Sequence, residues 1–227
     1  MDKRRIKSVE ASPTANRERG FSIIELIVVM AMATIITAIA IIQLHPTLQQ
    51  YRANAGLDQL KGALRQARET AISQRRTIVI TFPTVNSVQN TIQMYQMVVT
   101  TPTGGGTPTV AEATTPFNTV VLEGTVQFMT YASETDTPDG YLNSGSPTAP
   151  NGVYTESTTS AIVAGGPTSG MQFQSDGTFT DGNGSLLNAT IFIGVPSIKE
   201  TARAATILGG TGRVHTWSNN DGGWIVR

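Results

Sequence analysis

The stretch that decides the fold is Gly20–Ile42, GFSIIELIVVMAMATIITAIAII, an apolar run that contains one carboxylate, Glu25, close to its start. A helix from Phe21 to Ile42 would be about 33 Å long, which is enough to cross the hydrocarbon core of a bilayer. An ionisable group in hydrocarbon costs several kcal/mol unless it finds a partner. The stretch therefore predicts a membrane-spanning helix whose carboxylate has a function.

The residues before this stretch form a hydrophilic leader, MDKRRIKSVEASPTANRERG, which has no apolar core of its own. An ordinary secretory signal has its apolar region before the cleavage site and loses it on cleavage, so the order here is reversed. Arg17 and Arg19 flank the N-terminal end of the apolar stretch, which predicts that this end is cytoplasmic and the rest of the chain lies outside. A single-pass anchor with an accidental Glu25 is the alternative.

The leader, Gly20, Phe21 and Glu25 together resemble the class III leader of type IV pilins and pseudopilins. The resemblance implies that a prepilin peptidase cleaves between Gly20 and Phe21 and methylates the new amino terminus, while the apolar helix is retained. It also implies that such helices bundle in a filament core, where Glu25 neutralises the Phe21 amino group of its own or a neighbouring subunit. A charge pair of this kind sets register more than it adds stability, because desolvation offsets much of the Coulomb attraction.

Charge is distributed unevenly along the chain that would remain after cleavage, which has ten basic and thirteen acidic residues. Residues 52–76 contain six basic residues and only two acids, whereas residues 77–227 contain four basic residues and ten acids. The chain has no cysteine, so an exported head would be held by its hydrophobic core alone. It also lacks the C-terminal disulfide loop of many major type IVa pilins. A basic stem with an acidic, single-domain head is expected.

Helical periodicity continues after the apolar stretch, over residues 46–76. Apolar residues recur there at three- and four-residue steps, at Leu57, Leu60, Leu64, Ala67 and Ala71. This pattern predicts an amphipathic helix that packs one stripe on the head. Pro46 lacks an amide donor and crowds the preceding turn, so we expect a kink or a break at that residue.

Residues 77–227 read as a β-rich globular head, which follows the leader (1–20), the transmembrane or filament-core helix (21–45) and the amphipathic helix (46–76). Alternating or β-branched runs predict strands at 78–82, 92–99, 119–122, 125–129, 171–174, 189–194, 204–208 and 213–217. Thr, Ser, Gly and Pro dominate residues 100–116 and 133–170, which are predicted to be loops. The fold class expected is therefore α+β.

Three blocks of the head resemble the GspH/FimT family of pseudopilins: LRQARETAISQRRTIVITF (64–82), MQFQSDGTF (171–179) and ATILGGTGRVHTW (205–217). The resemblance implies a type IV pilin-like fold, with a long N-terminal helix packed on antiparallel β-sheets. It also implies a minor subunit of a type II secretion pseudopilus or a type IV pilus. Residues 133–170 look like an insertion relative to that family, so their conformation does not follow from the resemblance.

The sequence gives little support for a catalytic site or a metal site. His45 and His215 are the only histidines, and no cysteine or regularly spaced acid completes a catalytic or metal set with them. We therefore expect neither an enzyme nor a cofactor. Asp176, Asp181 and Asn183 are weak calcium candidates, but their spacing does not fit a twelve-residue calcium loop and no closing Glu follows, so turn formation is favoured.

Nucleic-acid binding is the main rival function, because some FimT-type subunits are linked to DNA uptake through the part that contains the Gly-Arg-Val sequence. The residues here that could contact phosphates are Arg213 and Arg203, with Lys199 and Arg227 as further candidates. Ten acids share their region, which makes DNA binding the weaker hypothesis. A DNA receptor predicts that Arg203, Arg213 and Arg227 cluster on one face.

The sequence thus predicts a minor pseudopilin or pilin that is inserted in the inner membrane by a single span, with its head outside the cytoplasm. The expected partners are a prepilin peptidase and other pilins or pseudopilins, with which the chain forms a periplasmic or cell-surface filament. Two alternatives stay open: a DNA-binding minor pilin for natural transformation, and a membrane-anchored adhesin that does not assemble.

Overall fold

The computed structural model describes residues 21–100, 109–142, 152–156, 171–220 and 223–227. The chain divides into two compact units, Met1–His45 and Pro46–Arg227. The predicted leader and the cleavage-site residue Gly20 lie outside the described residues, as do parts of both predicted loops.

One helix, α1, runs from Ile23 to Gln74 and accounts for both predicted helical segments. It continues through Pro46, so the break that this proline could have caused does not occur. Proline removes one backbone hydrogen bond of the helix, and the helical turns on both sides of Pro46 tolerate this single loss. α1 ends where Arg75 adopts a left-handed conformation, with φ of 51°, and the Arg76 amide donates to the Ala71 carbonyl at 3.1 Å. This reversal turns the chain into the first strand.

Twelve strands follow in the described residues: β1 Ile78–Thr81, β2 Thr91–Thr100, β3 Thr109–Glu112, β4 Asn118–Val121, β5 Gln127–Phe128, β6 Val153–Thr155, β7 Met171–Phe173, β8 Phe179–Thr180, β9 Ala189–Val195, β10 Ile198–Leu208, β11 Arg213–Asn220 and β12 Gly223–Val226. They form two sheets, and every pairing is antiparallel. The first has the order β3-β2-β1-β7-β8, with β4 also paired to β2. The second has the order β12-β11-β10-β9-β5, with β6 also paired to β9.

The main hydrophobic core lies where the second half of α1 packs on the two sheets. The five predicted helix positions, Leu57, Leu60, Leu64, Ala67 and Ala71, are all buried in it. Their partners include Ile78 and Ile80 of the first sheet and Ile191, Ile193 and Ile207 of the second. A smaller cluster covers the opposite face of the second sheet and contains Leu142, Tyr154, Phe192, Ala204 and Trp217. The prediction of an α+β fold, with a long N-terminal helix packed on antiparallel sheets, is confirmed.

Four strands are absent from the sequence-based assignment, and β10 begins at Ile198, earlier than the predicted 204–208. β3 lies inside the predicted loop 100–116, and β6 lies inside the predicted loop 133–170, so neither segment is loop throughout. β8 and β12 were not predicted. These strands have only two to four residues, too few to show a period, and they exist because a neighbouring strand offers a hydrogen-bonding edge.

Candidate functional site

The first candidate site is the beginning of α1. Phe21 precedes the helix by two residues and is 81% exposed, and the Leu26 amide donates to the Ser22 carbonyl at 3.1 Å. Glu25 lies in the first helical turn, where the partial positive charge of the helix N-terminus favours a carboxylate. An acid therefore lies in the first helical turn, four residues after the one whose amino group would be freed by cleavage after Gly20.

The helix that follows Glu25 is apolar around its whole circumference. Large hydrophobic side chains from Ile23 to Ile41, and that of Leu44, are exposed. The hydroxyls of Thr34 and Thr37 donate to carbonyls of their own helix at 2.7–2.8 Å. Among the described residues this is the one helix long and apolar enough to cross a membrane. A helix apolar on every side needs lipid or other helices around it.

The second candidate site, in the head, is a cleft of about 570 Å³ between α1 and β11. Its lining contains five cations and one acid, Glu69, together with His215; the cations are Lys61, Arg65 and Arg68 from α1, Arg213 from β11, and Arg227, which follows β12. We call it the basic cleft. Five cations face one acid in a head that is acidic as a whole, so the basic cleft is a local reversal of charge.

Two of the cations are fixed by hydrogen bonds to the walls of the basic cleft. Lys61 donates from Nζ to the Thr216 hydroxyl at 3.3 Å, and Arg68 donates from Nε to the Gly177 carbonyl at 3.2 Å. Arg65 and Arg213 are exposed. The three α1 cations share one helix face because they are spaced by four and three residues. The exposed guanidinium groups of Arg65 and Arg213 are therefore within reach of an anion in the basic cleft.

A glycine turn shapes the wall beside Arg213. Gly212 has φ of 60°, and a Cβ built on it would collide with the Gly177 carbonyl. A larger residue here would have to move that carbonyl away from Arg68. The Gly-Arg-Val sequence is thus explained locally by the need for close packing of two turns.

Arg203, the other predicted DNA contact, lies inside the head with 6% exposure. Its Nε donates to the Asn54 side-chain oxygen at 2.8 Å, and its Nη1 donates to the carbonyls of Glu200 and Ala202 at 3.0 and 2.8 Å. Burial lowers its pKa, and the nearby Arg227 charge acts in the same direction. Arg203 therefore fastens α1 to β10, and its predicted role as a phosphate contact is inconsistent with this burial.

His215 borders the basic cleft but belongs to a separate hydrogen-bond cluster. Its Nδ1 lies 3.2 Å from Asp139 Oδ2, which also accepts a hydrogen bond from the Thr206 hydroxyl. The Trp217 indole donates to that hydroxyl at 3.0 Å. Histidine and hydroxyl both point at the carboxylate rather than at each other, so this is not the arrangement of a nucleophile and its base. The cluster ties the loop at Asp139 to the second sheet.

The weak calcium candidates are occupied by their own turns. Asp176 Oδ1 accepts hydrogen bonds from the Thr178 hydroxyl and amide at 2.7 and 2.9 Å, which lower the pKa of this carboxyl. Asp181 Oδ1 accepts the amides of Asn183 and Ser185 at 2.9 and 2.8 Å. Within the described ranges no group of three acidic, histidine or cysteine side chains could hold a metal. Both acids act as turn formers.

Sequence reasoning named Arg213 and Arg227 but missed Lys61, Arg65 and Arg68 as members of a site. Their spacing on one helix face was the available signal, although it is equally typical of an ordinary solvated face. What the sequence could not provide was the strand that faces them across the basic cleft.

In the comparison with protein families, residues 15–41 match the prokaryotic N-terminal methylation motif. The match spans Gly20, Phe21 and Glu25, and it confirms the pilin-like character of the leader and helix start that was predicted from those residues. No curated protein is significantly similar to the chain in sequence.

Among solved structures, the chain is similar to the minor pseudopilin EpsH from the type 2 secretion system of Vibrio cholerae. The two share 14% sequence identity, with a TM-score of 0.38, over 75% of this chain and 99% of that one. A likeness at this level implies nothing about what this chain binds.

Proposed function

We propose that the chain is a minor pseudopilin or minor pilin, a structural subunit of a type II secretion pseudopilus or a type IV pilus. The observation that carries the proposal is the N-terminal methylation motif at residues 15–41, which includes most of the part of α1 that is apolar on every side. A secretory signal would be lost on cleavage, whereas this helix is built to persist in lipid or among other helices.

In this proposal Gly20, Phe21 and Glu25 each have a role in processing or assembly. A prepilin peptidase cleaves after Gly20 and methylates the amino group of Phe21. The helix then holds the subunit in the inner membrane, with the head outside the cytoplasm, until the subunit enters a filament with other pilins. Glu25 pairs with an amino terminus in the filament core, where an uncompensated carboxylate would be costly. The activity of the chain is assembly, not catalysis.

The test is site-specific photocross-linking of the full chain in its own host, with the photoreactive residue introduced at Ile35 in the apolar helix. A subunit of a filament should cross-link to other pilins in the sheared filament fraction. The control carries the photoreactive residue at the exposed Asn183, in a turn of the head. A processed chain that stays in the membrane fraction with no pilin cross-link from Ile35 would contradict the proposal and favour a membrane-anchored adhesin.

Nucleic-acid binding is the second candidate function, and the basic cleft is the observation that favours it. Of the three arginines that were to cluster in a DNA receptor, Arg213 and Arg227 line the cleft together with three cations of α1, while Arg203 is buried and does not line it. The ten acids of residues 77–227 oppose a long polyanion. This candidate therefore ranks second.

A gel-shift titration of the full chain in detergent at two salt concentrations tests it. A DNA receptor should bind duplex at low salt and lose affinity steeply as salt rises. It should lose about one unit of log-log salt slope when Arg213 becomes Ala. Arg76→Ala, an exposed arginine outside the basic cleft, is the matched control. Weak binding that is equal in both variants would remove this candidate.

A further inference from the structure

The basic cleft contains an unpaired stretch of sheet edge. β12 pairs with β11 from Trp217 to Asn220, and one more hydrogen bond joins the Arg227 amide to the Thr216 carbonyl at 2.9 Å. Backbone groups of an antiparallel strand alternate between its two neighbours, so Val214 directs its amide and carbonyl to the same side as Thr216. Within the described part of the chain, no strand pairs with Arg213–His215 on that side.

Cations flank this edge on both faces of the sheet. Val214 is buried in the main core and Thr216 accepts a hydrogen bond from Lys61, so these residues face α1 and its cations. Arg213 and His215 alternate with them and therefore lie on the opposite face. A strand laid along the edge would direct alternate side chains first towards Lys61, Arg65 and Arg68, and then towards Arg213.

We propose that the basic cleft binds an extended acidic segment of another protein, which pairs with β11 at Val214 in line with β12. Backbone hydrogen bonds and alternating side-chain sites are the two components of strand addition to an open edge. Here the free edge of β11 offers the backbone hydrogen bonds, and the cations on both faces of the sheet offer the side-chain sites. The cleft volume of about 570 Å³ is in the range of sites that enclose a small ligand or a short peptide.

An acidic peptide fits these observations better than nucleic acid does. Phosphates would use the cations and could accept from the Val214 amide, but they would leave its carbonyl without a donor, whereas a peptide satisfies both groups. The proposal concerns the head alone, and its outcome does not depend on whether the chain enters filaments.

The experiment measures binding of a fluorescent decapeptide to the full chain in detergent by anisotropy. The peptide consists of valine and threonine with four glutamates, two on each face of an extended strand. Two further versions carry N-methyl groups on every second residue, in the two opposite phases. Strand pairing predicts that one phase weakens binding by about tenfold and the other has little effect, since only one set of amides faces β11.

Variants of the basic cleft give the second readout. Arg65→Gln and Arg213→Gln, which act on opposite faces of the bound strand, should each weaken binding by about fivefold, as expected for a solvent-accessible charge pair. Arg76→Gln, outside the cleft, should have no effect, and a peptide with glutamine in place of glutamate should bind weakly to every variant. Both exposed arginines lie outside the core, so the variants should fold.

Equal binding of the two N-methylated phases would overturn the proposal, because charge alone would then explain the affinity. It would also be overturned if a duplex oligonucleotide bound more tightly than the peptide and required Arg65 and Arg213, which would assign the basic cleft to nucleic acid. Failure of the peptide to bind the wild-type chain at low salt would count against it as well.

Discussion

The two halves of α1 are one continuous helix made for two different surroundings. Between Ile23 and Leu44 nearly every position is apolar, and the large side chains from Ile23 to Ile41 are exposed. Between Ala53 and Ala71 apolar residues keep to one stripe, which is buried against two sheets of the same chain. Among the described residues, the large side chains of the first half are exposed, whereas the apolar stripe of the second half is buried in the core of the head.

The difference shows that helix propensity does not distinguish the two halves, but the distribution of hydrophobic residues does. An all-round apolar surface is stable only in lipid or among other helices, while a stripe needs a single partner. Two carboxylates are informative as well: Glu25 lies in the first turn of α1, and Glu134 is buried in the head, outside the helix. Breaking each half should therefore produce a different kind of defect.

The largest effect is expected from Glu25→Val. Removing the charge makes membrane insertion easier, so the variant should be inserted and cleaved normally. It should nevertheless be lost from filaments by about tenfold or more, since it cannot neutralise an amino terminus in the filament core. Quantitative immunoblotting of the sheared filament and membrane fractions measures this ratio.

Thr34→Val is the matched control for that experiment. It also removes a polar group from the apolar half, but the Thr34 hydroxyl only donates to carbonyls of its own helix. Its incorporation should equal that of the wild type. If the Glu25 variant entered filaments as well as the Thr34 variant, the role of Glu25 in register would be refuted.

The second prediction contrasts the two halves by truncating one large apolar residue in each. Leu60 is completely buried, so Leu60→Ala should lower the free energy of unfolding of the head by about 2 to 5 kcal/mol. Ile36 is 67% exposed, so Ile36→Ala should leave that free energy unchanged. Urea denaturation of the full chain in detergent, followed by tryptophan fluorescence, compares them. Equal destabilisation by both variants would remove the distinction between the halves.

The smallest effect concerns the pH dependence of the head. Burial raises the pKa of Glu134 from its usual 4.5 to about 7, although the Tyr131 amide and Lys199 act in the opposite direction. The folded state therefore holds the proton more tightly than the unfolded state does. The stability linked to this group is complete below pH 4.5 and is lost as the pH rises towards 7.

Glu134→Gln should abolish that loss, which we expect to be about 2 kcal/mol between pH 5 and 8. Glutamine keeps the acceptor for the Tyr131 amide, which donates to Glu134 Oε2 at 2.9 Å, but it does not titrate. Thermal unfolding at the two pH values measures the difference, with Glu123→Gln at an exposed position as the control. Parallel pH profiles for the wild type and the Glu134 variant would contradict the assigned pKa.

The sequence allowed most of the fold to be predicted because its strongest patterns are local. The step pattern of Leu57, Leu60 and Leu64 fixed the buried stripe, and the alternation of Ile78 and Ile80 located β1. The short strands β3, β6, β8 and β12 could not be found in the same way, since each is defined by the strand that it pairs with and not by its own residues.

The two candidate sites differ in the same way, since one is a local sequence motif and the other joins distant parts of the chain. Gly20, Phe21 and Glu25 are close in sequence, so their motif could be read directly and the family comparison finds it. The basic cleft joins α1 to β11 and Arg227 from the far end of the chain, so neither group of residues indicated the other. In the sequence, Arg203 and Arg213 are equally plausible phosphate contacts. The hydrogen bonds of Arg203 to Asn54 and to two carbonyls distinguish them in the structure.

The most direct test of the central claim, that the apolar half of α1 is retained in a processed subunit, is intact-mass spectrometry of the protein from native membranes. The account predicts a chain that begins at Phe21 with an N-methyl group, and Gly20→Ala should accumulate as the unprocessed precursor. A wild-type chain that keeps its leader, or one that has lost residues beyond Phe21 together with the apolar helix, would contradict it.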